Sequence, residues 1–214
     1  VGKKYELVLQ DTLTLDGVIL YRIKAVKDFQ VGKRQVKAGD LGGYLQSESN
    51  LSQTSTCFVF DQAVVFGDAH VKDEAVVEGQ AQVFDQAEVS DSAHITGQSR
   101  VFGHAKLSEQ VQILDQAQVY GYADLSDAAL IKGESHIYDK AQISDHAVIS
   151  GQSEVFNFVE VKDDAQIEDS QIHGHAEVSG QARVSGSKIY GNVLLTAKVR
   201  INGQRLYGEE VYRN

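Results

Sequence analysis

From Val59 to Ile201 the chain repeats one six-residue phrase, and few folds can carry such a phrase for so long. Taking Val, Ile or Leu as the anchor, anchors fall at every sixth residue from Val59 to Ile167. They resume at Ile172, Val178 and Val184, and again at Ile189, Leu195 and Ile201. All 25 anchors obey this rule, and two residues before each stands Ala, Ser, Cys or Val. Two residues after the anchor there is usually Gly, Asp, Asn or Glu. In an extended segment residues two apart point the same way, so the small residue and the anchor share one inward face. Gly and Asp beyond the anchor suit a change of direction. Each hexad is therefore a short strand plus a corner, and the array is predicted to be coils stacked by parallel strand pairing.

A second period sets the number of corners per coil. The residue after the anchor is aromatic at Phe66, Phe84, Phe102, Tyr120, Tyr138 and Phe156, each 18 residues from the last. The same slot in the intervening hexads holds mostly Ser, Lys, Thr or Glu. Every third hexad is different, so a coil is three hexads and its cross-section a triangle. The five-residue spacings Ile167–Ile172 and Val184–Ile189 fall at one corner, one coil apart, and carry the aromatic slot to His173 and Tyr190. The 24 intervals between anchors predict about eight coils. One coil buries three anchors, worth together about 5–9 kcal/mol. Ordering its 18 residues costs about 18–36 kcal/mol. A single coil cannot stand, and stability must accumulate between neighbours.

Phrases such as Val71-Lys-Asp-Glu-Ala-Val and Val77-Glu-Gly-Gln-Ala-Gln resemble the hexapeptide repeat of the bacterial left-handed β-helix superfamily, whose best-known members are trimeric acyltransferases. The likeness covers roughly Cys57 to Gly203. It implies an all-β fold, a single-stranded left-handed parallel β-helix with a small N-terminal β-cap. The left hand comes from the resemblance alone, since the usual crossover rule favours the right. The opening Leu20-Tyr-Arg-Ile-Lys-Ala, Lys37-Ala-Gly-Asp-Leu-Gly-Gly-Tyr-Leu and Ser47-Glu-Ser-Asn-Leu-Ser are similar to the start of YdcK-type bacterial proteins, commonly labelled putative acetyltransferases.

Outside the array, Tyr5–Gln10 and Val18–Val26 read as strands with Leu15-Asp16-Gly17 as a hairpin signal. Gly42-Gly43 lacks the following helix and basic residue of a phosphate cradle and reads as a tight turn where the array begins. The expected organisation is residues 1–50 as the cap, 51–203 as the β-helix and 204–214 as a tail that covers the far end with Leu206, Tyr207 and Tyr212. A net charge of −10 argues against nucleic acid and against an anionic membrane surface as partners. Cys57 is the lone cysteine, in a small inward slot; it excludes an internal disulfide and fits a reducing, cytoplasmic setting.

Candidate sites follow from the columns. Phe66, Phe84, Phe102, Tyr120, Tyr138 and Phe156, with Tyr190 beyond, are expected to line one outer face as a stripe that contacts a partner, most simply another subunit. Trp is absent and Phe outnumbers Tyr in this column, which favours a subunit interface over a glycan platform. Asp73, Asp91, Glu109, Asp127, Asp145 and Asp163 stack at another corner, either as turn-capping carboxylates or as a calcium ladder. The resemblance implies, for an acyltransferase, an acyl-CoA donor and a histidine general base; His104 and His175, at the corner after the aromatic slot, are the candidates. The γ-class carbonic anhydrases share the fold but need three zinc-binding histidines, two of them five apart, and the seven here contain no such pair. No metal and no resident cofactor are expected. No insertion longer than a hexad interrupts the array, whereas the family's enzymes commonly wall the active site with a protruding loop. The expectation is therefore a scaffold or interaction module, homo-oligomeric through one face, with acyl transfer as the alternative.

Overall fold

The computed structural model describes residues 2–213. It is a parallel β-solenoid. Three sheets run along it, and each receives nine short strands from the coils, mostly two residues long. The aromatic face begins at Val64–Val65 and ends at Arg205–Gly208; the second face runs from His70–Val71 to Val211–Tyr212, and the third from Phe58–Val59 to Arg200–Asn202. Register is in phase throughout: Val65 pairs with Val83, Val83 with Val101, and so on to Ile189 with Leu206.

Nine coils exceed the eight expected from the anchors, because the repeat does not stop at Ile201. Leu206 follows it at the same shortened spacing and is buried, and Tyr212 pairs with Leu195 in the next anchor position. Residues 205–212 thus extend the sheets themselves, while Tyr207 continues the outward slot and is 68% exposed.

The inward assignment is direct. Anchors and the small residues before them are buried along the whole solenoid and form one cluster from Tyr5 to Leu206. At the corners, the residue two after the anchor has a positive φ in every hexad, from Asp61 (56°) through Gly97 (74°) and Asn157 (65°) to Gly203 (63°). That left-handed conformation is cheap for Gly and tolerable for Asp and Asn, which explains the composition of the position.

The cap has two hairpins. Strands β1 (Tyr5–Leu15) and β2 (Val18–Ala25) pair antiparallel, with a register shift between Val8 and Thr12. Strands β3 (Phe29–Val31) and β4 (Arg34–Val36) form the second. Strand β5 (Leu41–Leu45) pairs antiparallel with β2 and parallel with Val64–Val65, so it is the splice between cap and solenoid. Gly42 and Gly43 lie within β5 and make no turn. They are there for close approach: a Cβ on Gly42 would meet the Val59 carbonyl oxygen at 2.5 Å and Ile23 Cγ1 at 2.7 Å.

The open end of the core is closed by buried polar groups bonded to backbone carbonyls. Lys4, 2% exposed, donates from Nζ to the carbonyls of Ser55 (2.8 Å) and Cys57 (2.7 Å), and burial pushes its pKa down. The Tyr5 hydroxyl donates to the Leu51 carbonyl at 2.7 Å. Cys57 is buried beside them. Among the described residues no helix is long and apolar enough to cross a membrane.

Candidate functional site

The seven aromatics singled out from the sequence share one column on one face. Successive rings from Phe66 to Phe156 are parallel within 6°, with centroids 4.7–5.0 Å apart. His173 stacks on Phe156 at 4.7 Å, and Tyr190 follows at 4.4 Å with its plane tilted by 48°. Parallel in-register strands dictate this geometry, because equivalent side chains recur at the strand spacing of about 4.8 Å. Each ring buries its faces against its neighbours and presents an edge outward, so the column is half-buried.

The stripe is not open along its whole length. Leu13, Leu15, Val18 and Leu20 of the first hairpin pack with Tyr44, Val64, Phe66 and Phe84 in a separate apolar cluster on the outer side. Phe66 is only 9% exposed. The chain covers the first two rings itself, and the free stretch runs from Phe102 to Tyr190. Arg100 lies beside the column with its guanidinium carbon 5.1 Å from the Phe84 centroid and 5.3 Å from that of Phe102, a cation–π arrangement.

Burial within the column pushes the Tyr138 phenol up to about 12, helped by the nearby Glu154 carboxylate, and burial pushes His173 below its ordinary value. Each shift favours the neutral form, the form that costs least to bury against a neighbouring ring.

The candidate bases stand elsewhere. His104 and His175 belong to a second, more exposed column three residues beyond each anchor. His104 stacks on Tyr122 at 4.6 Å and His175 on Phe158 at 4.7 Å. Four coils separate the two histidines, roughly 19 Å at the usual strand spacing. One chain therefore does not bring them to the same substrate. His104 lines a notch of about 340 Å³ with His70, Glu88 and Lys106 among others, and His175 has no part in it.

At the acidic corner the five aspartates spend their carboxylates on the backbone. Asp73 Oδ2 accepts from the Asp91 N–H at 3.4 Å, Asp91 from Glu109 at 3.1 Å, Asp127 from Asp145 at 3.3 Å, Asp145 from Asp163 at 3.1 Å, and Asp163 from Gly180 at 2.7 Å. Each side chain thus caps the turn one coil on. Among the described residues no three His, Cys, Asp or Glu side chains are grouped to hold a metal ion.

This corner should be visible in the acid limb of stability. The Asp145 N–H and the Ser126 hydroxyl hold the Asp127 carboxyl below the usual range, and the Asp127 charge pushes Glu109 up. As pH falls, Glu109 takes its proton first; its folded-state pKa is raised, so this step favours the fold. Below that, Asp127 protonates through its depressed value and stability is lost. Asp127→Asn keeps an oxygen for the Asp145 N–H but removes the Asp127 titration and the main cause of the Glu109 shift. Its melting temperature plotted between about pH 2 and 6 should be flatter than that of wild type. Parallel curves would mean that the capping carboxylate carries no charge-dependent stability.

Sequence reasoning passed over Tyr122 and Phe158, 61% and 53% exposed. The signal was present: His104, Tyr122, Lys140 and Phe158 are spaced by 18, and His175 follows by 17. The column mixes residue types, so it does not announce itself as the aromatic slot does. Compared with protein-family models and with curated proteins, the chain matches none.

Proposed function

We propose that the chain is a non-catalytic β-helical scaffold of the hexapeptide-repeat kind, similar to YdcK-type proteins, that assembles with further copies of itself through the aromatic face. The observation that carries this reading is that the unbroken column of stacked rings from Phe66 to Phe156 runs along one of three faces. Self-stacking alone contributes on any face, roughly 0.5–1.5 kcal/mol per pair. A directional contact needs the rings on one side, and closed oligomers reuse one patch in every subunit. The hairpin over Phe66 and Phe84 supports the reading, because it shows the kind of apolar cover this surface accepts.

Replacing Phe102, Tyr120 and Tyr138 together by Ser tests it. None of the three fills the inward core, so the variant is expected to keep its strand signal by circular dichroism. By light scattering it should have a lower mass than wild type. An unchanged mass, or a wild type already monomeric at micromolar concentration, rejects self-assembly through this face.

A further inference from the structure

We propose that the outer half of the first hairpin is a displaceable strap, which covers the first two rings of the aromatic column and limits how much of that face a second copy can reach. This rests on the assembly reading above and adds the regulation of the same face. The hairpin is built in two halves. Strand β1 passes through Leu9, Gln10 and Asp11 while β2 steps directly from Arg22 to Tyr21, so these three residues have no partner in the register. Leu9 is left 63% exposed. Extra residues of this kind bend a strand and interrupt its ladder.

The two halves are held differently. On the inner side of the break β2 is paired along both edges, with Tyr5–Val8 of β1 and, through Tyr21, Arg22 and Lys24, with β5. Arg22 fixes the boundary. Its Nη1 donates to the carbonyls of Gly42 (2.9 Å) and Asp61 (2.8 Å), and its Nε donates to Asp11 Oδ2 at 3.3 Å. On the outer side, Val18–Leu20 pair only with Leu13–Leu15. Among the described residues no hydrogen bond joins Thr12–Leu20 to the solenoid. Apolar contact alone holds this half down, and the cluster it forms is separate from the main core. Leu20, 0% exposed, adjoins the paired Tyr21 and belongs with the base. That leaves the half-buried Leu13, Leu15 and Val18 to hold Thr12–Ile19.

The fit beneath the strap is loose. A cavity of about 390 Å³ is lined by Leu13 and Leu15 on one side and by Gln62, Gln80, Gln82 and Gln98 on the other. Leucines set against glutamines gain little packing and no hydrogen bonds. A segment with few buried apolar contacts and no bonds to the body opens at a free energy well below that of global unfolding. In the closed position Phe66 is 9% exposed and Phe84 half-buried, so a second copy meets free rings only from Phe102 onward. The covered rings are already in line with the rest: Phe66 stacks on Phe84 at 5.0 Å and Phe84 on Phe102 at 4.8 Å. Lifting the strap therefore lengthens the contact by two rungs, about 10 Å, with no rearrangement of the column.

Hydrogen exchange of the full chain and light scattering of one variant test the strap. Amides of Thr12–Ile19 are expected to exchange about a hundredfold faster than those of Tyr21–Ala25. Leu13→Ser, Leu15→Ser and Val18→Ser together leave the main core untouched, so the strand signal by circular dichroism should be kept. This triple variant should self-associate about tenfold more tightly than wild type. Adding Phe84→Ser to it should cancel the gain. Exchange of both halves at one rate, association no tighter than wild type, or a gain that survives Phe84→Ser would each overturn the strap and leave the assembly face standing. A wild type and a triple variant that are both monomeric would overturn the two readings together.

Discussion

Asn50→Leu is expected to destabilise the protein by about 3–5 kcal/mol, lowering its melting temperature by roughly 10 °C. Asn50 is 0% exposed and lies under the first full coil. In later coils the carbonyl of a corner residue accepts a backbone N–H from the coil before, as when the His104 N–H donates to the Gly121 carbonyl at 2.7 Å. The first coil has no regular predecessor. The Asn50 amide replaces it: Nδ2 donates to the carbonyls of Gly67 and Ala69, each at 2.9 Å, and Oδ1 accepts from the Ser47 N–H at 2.9 Å. Leucine keeps the volume and strands all three groups, and a buried polar group left without a partner costs about 1–3 kcal/mol. Asn50→Asp isolates the donors, since it keeps the oxygen for Ser47 and loses both donations. It should be nearly as damaging by thermal melting. If both variants melted with wild type, the cap would not be held to the solenoid by this side chain.

Gly97→Val should cost a similar amount, about 3–5 kcal/mol, from two additive causes. Its φ of 74° is a region that a β-branched residue enters only under strain. A Cβ there would also meet the Asp115 carbonyl oxygen at 2.5 Å and the Asp115 nitrogen at 2.9 Å, both backbone atoms of the next coil. Neither can move without opening the stack. Gly97→Asn shares the steric cost but tolerates the conformation, as Asn157 does at a later corner (φ 65°). It is expected to lose less than half as much stability in denaturant titrations. Equal losses for Val and Asn would assign the whole effect to the clash and none to the backbone angle.

How far the structure was readable in advance depended on repetition. The anchors, the small inward residues, the triangular section and the aromatic column each recur many times, so one rule accounts for many positions. The corner rule carried further than its residue types alone, because even Ala197, neither Gly nor Asp, is held at φ 60° by the coils around it. The last coil carried the same signal but was assigned to a covering tail: Leu206 follows Ile201 by five residues, as Ile172 follows Ile167 and Ile189 follows Val184. What could not be read was whatever occurs once. Lys4, Asn50 and the Gly42-Gly43 pair act through contacts with residues far away in sequence, and no period betrays them. The fold of the first hairpin over Phe66 and Phe84 is of the same kind. Tyr122 and Phe158 fall between these cases, since their spacing is regular and their neighbours in the column are not.

The in-register stacking has a consequence for how such a chain can change in length. Every interior coil meets only the coil before and the coil after, through the same three strand pairings and the same corner contacts. Removing or duplicating one whole turn would leave all remaining contact types as they are, and even the five-residue spacings, all at one corner, keep later anchors in their columns. Length along the axis is therefore quantised, in steps of about 4.8 Å. The fold behaves as a ruler: it can be cut or extended only at its graduations, and each graduation moves the two ends apart without altering the surface between them.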